Sequence, residues 1–283
     1  MRLLNGKVVA DEIKHRLKEE IDTAVANGRR RPKLVIISVG DDPASKVYVR
    51  NKMRAAEEVG IQTEHLVFDN DGGTFMLREA ILRRNIDPKV DGIMVQLPLP
   101  QGYDEREIID TIAPWKDVDG LTTTNIGRLR SGQPCFKPCT AAGIIDLCKY
   151  YNIELDGKDV TIIGRSNIVG KPIADMMMAE GATVTQCHSH TKQLQNHTDY
   201  ADIVISAIGQ PKFVTDFYVH GCQTVIDVGI NRDENGKLCG DVDFDGVKDK
   251  VENITPVPGG VGPMTVAELM KNCVQAAAMQ YNR

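Results

Sequence analysis

No apolar run in this sequence approaches the ~20 residues that a membrane-spanning helix requires, so no membrane partner is expected. The opening stretch "MRLLNGKVVADEIKHRLKEEI" has amphipathic helical spacing. It lacks the apolar centre and small-residue cleavage site of a secretion signal. Basic residues are not in excess: the net charge is −5. Nucleic-acid backbones need a concentrated basic surface. The one basic run, "RRRPK" at Arg29–Lys33, lies between a helical and a strand-like segment and reads as a solvated loop. No nucleic-acid partner is expected. Cysteines number seven in 283 residues, odd and scattered, which fits free thiols in a reducing compartment rather than a disulfide framework. Cys135 and Cys139 make a C-x-x-x-C, but no second pair follows at zinc-finger spacing, and no metal is expected. Internal repeats and low-complexity tracts are missing as well. What these absences leave is a soluble, cytoplasmic protein.

What is present is an alternation. A chain of this length suits two domains, and 42% hydrophobic with 26% charged residues allows each a real core. Short β-branched runs, "KLVIISVG" (33–40), "TEHLVFD" (63–69) and "VDGIMVQLPL" (90–99), are separated by the helical patterns "VYVRNKMRAAEEVG" and "GTFMLREAILRRNI". The alternation restarts after about residue 140 with "DVTIIG", "ATVTQCHS", "ADIVISAIG", "TVIDVGI" and "ENITPVPGG". Continuous apolar strands imply parallel sheets covered on both faces, hence two α/β domains joined near "GQPCFKPCT". The last helix, "TVAELMKNCVQAAAMQY", opens on Thr265 and Glu268 as a T-x-x-E capping box and is expected to return to the first domain. The expected division is 1–139, completed by 264–283, and 140–263. The consecutive methionines 176–178 read as core filling.

In the second domain, "DVTIIGRSNIVGKPIADMMMAEGATVTQCHSHT" (159–191) has the strand–loop–helix–strand order in which a glycine loop cradles a dinucleotide pyrophosphate. The loop is not G-x-G-x-x-G. Gly164 would serve the sharp turn, Ser166 would add a hydroxyl, and Gly170 would allow close approach of the helix. An NAD site places an acid at the end of the next strand for the ribose 2′-hydroxyl. Here that strand ends Cys187-His188-Ser189-His190-Thr191. With no carboxylate there, and with Arg165 and Ser189 available to a 2′-phosphate, NADP is the expected cofactor. The strand ends "SAIGQP" (206–211) and "DVGIN" (227–231) would face the same crevice, with Ile230 on the nicotinamide side.

Tyr48 and Lys52 stand one helical turn apart in "SKVYVRNKMRAAEEVGI", a spacing that more often marks a solvated helix face. The pair resembles the Y-x-x-x-K of short-chain dehydrogenases, but it precedes the glycine loop rather than following it. Three further segments change its meaning. In "DGIMVQLPLP", Gln96 ends an apolar strand; "WKDVDGLT" carries Asp117 and Asp119 in a turn; "PVPGGVGPMT" is a stiff Pro/Gly loop.

Together with "PCTAAGI" and "GRSNIVGKP", these segments resemble the bifunctional methylenetetrahydrofolate dehydrogenase/cyclohydrolase family, in order and across the whole chain. The resemblance implies that Tyr48 stacks on and positions folate. It makes Lys52 the catalytic group of the cyclohydrolase step, with Gln96 touching it and helping set its charge. Asp119 would hydrogen-bond the pterin, and Gly260, Gly262 and Pro263 would shape the folate entrance. Gly164, Arg165, Ser166, Ser189 and Ile230 match NADP contacts. It also implies a Rossmann-like second domain and a homodimer formed through it. Two other readings compete: an amino-acid-type dehydrogenase, such as a shikimate or glutamate relative, and a nucleotide-sensing binding protein that keeps the fold. The first does not account for "QLPLP" beside "PVPGGVGPMT", and a folate-dependent absorbance change on mixing with NADP would separate the second from both enzyme readings.

Overall fold

Strands and helices alternate from residue 33 to residue 95 and again from residue 159 to residue 206 as the apolar runs require, with three successive helices between. The structure, a computed structural model, describes residues 1–70 and 73–281. In chain order its elements are β1 (Arg2–Leu3), α1 (Gly6–Ala26), β2 (Lys33–Val39), α2 (Pro43–Val59), β3 (Gln62–Phe68), α3 (Gly73–Ile86) and β4 (Gly92–Val95). Then come α4 (Glu105–Thr111), α5 (Thr123–Arg130), α6 (Cys139–Tyr150), β5 (Asp159–Ile163), α7 (Gly170–Ala179), β6 (Thr183–Cys187) and α8 (Leu194–Asp199). The remainder is β7 (Ile203–Ser206), β8 (Thr224–Asp227), β9 (Asn231–Arg232), β10 (Leu238–Cys239), α9 (Phe244–Val247), β11 (Asn253–Ile254) and α10 (Val261–Tyr281).

The chain divides into two compact units. The first holds residues 11–139 and 266–281, and the second holds residues 1–10 and 140–265. Of the C-terminal stretch 264–283 expected in the first domain, 282 and 283 lie outside the described residues. Residues 1–10 go with the second unit because β1 pairs in parallel with β11, Arg2 opposite Asn253 and Leu3 opposite Ile254.

The first unit is built on a three-stranded parallel sheet ordered β3-β2-β4. Central β2, "KLVIISV", is buried from Leu34 to Val39, as a strand covered on both faces should be. Edge strand β3 instead alternates, and Val67 points to solvent. Val35, Ile37, Leu77, Ile81, Ile93 and Ile108 form the centre of the core. Helix α2 has clear local causes. The Asp42 side chain accepts from Ser45 N at 2.7 Å, Pro43 begins the first turn, and Gly60 ends it in the left-handed conformation. Thus α2 starts two residues before the Ser45 that opens the motif, and Tyr48 and Lys52 lie inside it.

Partial burial pushes the His65 imidazole on β3 below its ordinary 6.5, and its Nε2 meets Ser38 Oγ at 2.8 Å. A histidine whose pKa folding lowers binds fewer protons folded than unfolded just below pH 6.5, so its contribution to stability is present above about pH 6.5 and is lost as pH falls from there through the lower folded value. The denaturant midpoint is expected to fall more between pH 8 and pH 5.5 in the natural chain than in His65→Gln. Parallel pH profiles for the two would refute this.

The second unit carries a six-stranded, wholly parallel sheet ordered β1-β11-β8-β7-β5-β6. Strands β5, β7 and β8 are buried almost throughout. From β5 the chain winds outward to β6, then returns to place β7 on the other side. The topological switch point therefore falls between the carboxyl ends of β5 and β7, where open α/β sheets bind ligands.

One expectation fails here. Thr265 is not a helix cap: α10 begins at Val261, and Thr265 Oγ1 lies one turn inside it, donating to Val261 O at 3.3 Å. Val261 and Met264 are buried, so packing extends the helix back through a glycine-rich start that propensity alone disfavours. Among the methionines, Met176 and Met177 are core while Met178 is half exposed.

Candidate functional site

Each unit holds one cluster at the carboxyl edge of its sheet. In the first, β4 ends at Val95 and delivers Gln96, which is buried. Its Nε2 donates to Leu97 O at 2.6 Å, which turns Oε1 outward to accept from Lys52 Nζ at 3.1 Å. The Leu97–Pro98 peptide that follows is cis. Lys52 and Tyr48 are both partly exposed on α2, so the pair retains access to a ligand while Lys52 is oriented by the amide.

Asp119 is presented by a turn that its neighbour builds. Asp117 is 1% exposed, and its carboxylate accepts from Gly120 N (3.0 Å), Leu121 N (3.2 Å), Thr122 N (2.8 Å) and Asn125 Nδ2 (2.8 Å). Burial pushes this carboxyl upward, and those donors oppose the shift. From α10, Asn272 Nδ2 donates to Val118 O (2.9 Å) and Lys137 O (3.1 Å), tying the two segments on either side of Asp119 together. Cys139, in the "PCT" motif, is fully buried and its thiol is held well above 9, first by desolvation and then by the charges of Asp119 and Glu268. The same sulfur feels the Lys52 charge, so Lys52, Asp119, Glu268 and Cys139 form one electrostatic neighbourhood.

The second cluster lies at the switch point. Gly164 has φ +129°, a value that favours glycine, and a Cβ there would overlap Ala207 O. A Cβ on Gly170 would overlap Gly164 O, so the first turn of α7 presses on the loop. Ser166 Oγ accepts from Val169 N (3.2 Å) and Gly170 N (3.3 Å), leaving its own proton for another acceptor. Arg165, Ser166 and Ser189 are exposed. Partial desolvation, with Arg165 and His190 nearby, holds the His188 imidazole low, so Arg165 stands beside the end of β6. Ile230 is 44% exposed after β8. A dinucleotide fits this donor set: a helix N-terminus, a backbone with no side chain in the way, and a guanidinium whose charge reaches the strand end that lacks an acid.

Gly260, Gly262 and Pro263, expected at a folate entrance, lie in the second unit, where a Cβ on Gly260 would overlap Pro256 O. The structure thus joins Lys52 to Gln96 and places Asp119 within electrostatic reach of Lys52's neighbour Cys139. In sequence Glu268 showed only the spacing of a helix cap and Cys139 only a C-x-x-x-C without a second pair, so neither pointed to this cluster. Asp227 and Asp241 of the second unit were missed too, although Gly229 stands two residues after Asp227 and Gly240 immediately before Asp241, and glycine marks a close approach.

Two family models match this chain. Residues 4–119 match the tetrahydrofolate dehydrogenase/cyclohydrolase catalytic domain, and residues 138–281 match the NAD(P)-binding domain of the same family. The bifunctional protein FolD of Agathobacter rectalis is 51% identical over 274 residues, covering 97% of this chain and 98% of that protein. Among solved structures, the bifunctional FolD of Campylobacter jejuni superposes with a TM-score of 0.96 at 45% identity, over 99% of both chains. The FolD of Trypanosoma brucei, solved with NADP cofactor and inhibitor, gives 0.94 at 36% identity over 99% and 98%.

Proposed function

The chain belongs to the tetrahydrofolate dehydrogenase/cyclohydrolase family, and from that premise we propose how its residues divide the two reactions. It is a bifunctional enzyme that oxidises 5,10-methylenetetrahydrofolate to the 5,10-methenyl form with NADP and hydrolyses that to 10-formyltetrahydrofolate. The amino-acid-dehydrogenase and nucleotide-sensor readings fall with that membership.

The first unit is the folate-binding catalytic domain and the second the NADP-binding domain. The observation that carries the division is the Lys52–Gln96 hydrogen bond, a polar pair at a sheet edge in the unit without the glycine loop. The methylene carbon lies between two nitrogens, and a nitrogen lone pair stabilises the cation left when hydride departs. That step needs alignment rather than a base, and Tyr48 supplies it by stacking on the folate. NADP, when bound, accepts the hydride. Gly164 and Gly170 leave room for its pyrophosphate, Arg165 and Ser189 hold the 2′-phosphate, Ser166 donates a hydroxyl, and Ile230 packs on the nicotinamide side.

In the second reaction water adds to the methenyl carbon and loses a proton, which Lys52 takes as general base with Gln96 fixing its direction. The hydroxyl then gives up its proton as its oxygen forms the C=O bond, the carbon–nitrogen bond at N5 breaks, N5 takes a proton, and the formyl group stays on N10. Gly260, Gly262 and Pro263 keep the folate entrance narrow. The protein works in the cytoplasm, supported by seven cysteines with no disulfide, and as a homodimer formed through the second unit, which rests on family resemblance.

The direct test is a spectrophotometric assay with methylenetetrahydrofolate, NADP and NAD run side by side. Absent NADP reduction, or absent methenyl hydrolysis, would end the bifunctional reading. Asp119 is assigned to the pterin, so Asp119→Asn is expected to weaken folate binding about tenfold, the scale of one hydrogen bond to a charged group. NADP affinity should stay within twofold. Titration of both ligands checks this, and unchanged folate affinity removes Asp119 from the site.

A further inference from the structure

Asp241, just past β10, has no solvent exposure, yet no lysine, arginine or histidine pairs with it among the described residues. Its carboxylate is satisfied by five donors from two separate loops. Ser206 Oγ (3.2 Å), Ile208 N (2.8 Å), Gly209 N (3.3 Å) and Gln210 N (2.9 Å) come from the segment leaving β7, and Asn231 Nδ2 (2.8 Å) comes from the segment leaving β8.

Asp241 is itself anchored from below. Asp227, at the end of β8, accepts from Asp241 N and Val242 N, each at 2.9 Å, and from Gly229 N at 3.0 Å. The fit is tight. A Cβ on Gly229 would overlap the Asp241 carboxylate, and one on Gly240 would overlap that of Asp227. Two stacked carboxylates without a cation are costly to bury, and burial pushes Asp227 up to about 7. A single carboxylate is well suited to this task, because it offers about four acceptor positions and no donor, and each loop N–H needs an acceptor.

Both clamped segments stand at the carboxyl edge of the sheet. The β7 segment also touches the glycine loop, since Ala207 O is what a Cβ on Gly164 would strike. We propose that Asp241 is a positioning residue for NADP, latching the loops 206–210 and 229–231 into one fixed wall of the nucleotide site without touching the nucleotide. This rests on the second unit being the NADP domain.

The test uses the full-chain enzyme. Asp241→Asn keeps the shape but turns an NH2 toward backbone N–H groups, so at least one loop is released. NADP Kd by calorimetry and KM in the dehydrogenase assay are expected to rise tenfold or more. Hydrolysis of methenyltetrahydrofolate without NADP should stay within twofold, and thermal unfolding should remain cooperative, a split that general destabilisation would not produce. A folded Asp241→Asn that binds NADP within twofold of the natural enzyme overturns the proposal. If that variant does not fold, Ser206→Ala decides. Ser206 is 1% exposed and meets Asp241 through its hydroxyl, so a threefold or greater rise in NADP Kd supports the latch and an unchanged Kd overturns it. Failure of the natural enzyme to bind NADP at all would instead sink the domain assignment beneath it.

Discussion

Lys52→Met is expected to cut cyclohydrolase activity by on the order of a hundredfold or more, the usual scale for loss of a general base, while dehydrogenase activity persists. Methionine keeps the length and apolar stem of lysine and deletes only the nitrogen, so packing along α2 should survive. Gln96 loses one partner but keeps its bond to Leu97 O. A buried amide left short of one hydrogen bond costs about 1–3 kcal/mol of folding stability, read by unfolding, whereas a hundredfold rate loss is ~2.7 kcal/mol of activation free energy, read by kinetics. The two effects are therefore separable. Methenyltetrahydrofolate should accumulate during turnover and be visible in the absorbance trace. Loss of both activities in a folded, folate-binding variant would give Lys52 a part in hydride transfer, and survival of both would remove it as the base.

The existence of α2, β2 and the glycine loop was legible because their causes are local, although α2 starts at Pro43, four residues before the helical stretch read from Val47. Asp42-Pro43 and Gly60 bracket α2, and "KLVIISV" cannot be buried on two faces as anything but a central strand. What could not be read was pairing at a distance. β1 is two residues long, too short to show any period, and its partner β11 lies some 250 positions away. The start of α10 was misplaced for the opposite reason: Thr265 and Glu268 have the spacing of a cap, but the burial of Val261 and Met264 outweighs that local preference.

The candidate site shows the same division. Lys52 and Gln96 are 44 positions apart, and only family resemblance joined them before the structure put Nζ on Oε1. Asp117 was visible as an acid in a turn, but its use is structural, since all four of its donors build the turn that carries Asp119. Asp241 left almost no mark because its main partners are backbone N–H groups, which are the same at every non-proline residue. Only Gly240 beside it hinted at crowding.

Arg165→Ala is expected to erase most of the preference for NADP over NAD. The end of β6 carries no carboxylate to hold a ribose 2′-hydroxyl, and none to repel a 2′-phosphate. Arg165 lies beside that strand end, close enough for its charge to bear on His188, whose ring is 5.8 Å from that of His190. One charge-assisted phosphate contact contributes about 1.5–3 kcal/mol, so the ratio of kcat/KM for NADP over NAD should fall about ten- to hundredfold. NAD turnover itself should change little, because the lost contact serves only the phosphate. Salt provides a second reading. The site is exposed, and at 0.5 M salt an ion pair there is largely screened. The natural enzyme should therefore lose NADP preference as salt rises, while Arg165→Ala stays flat. Equal use of NAD by the natural enzyme would refute the phosphate site. A variant that keeps the full preference would move that site away from Arg165 and leave Ser189 and the two histidines as the groups to substitute next.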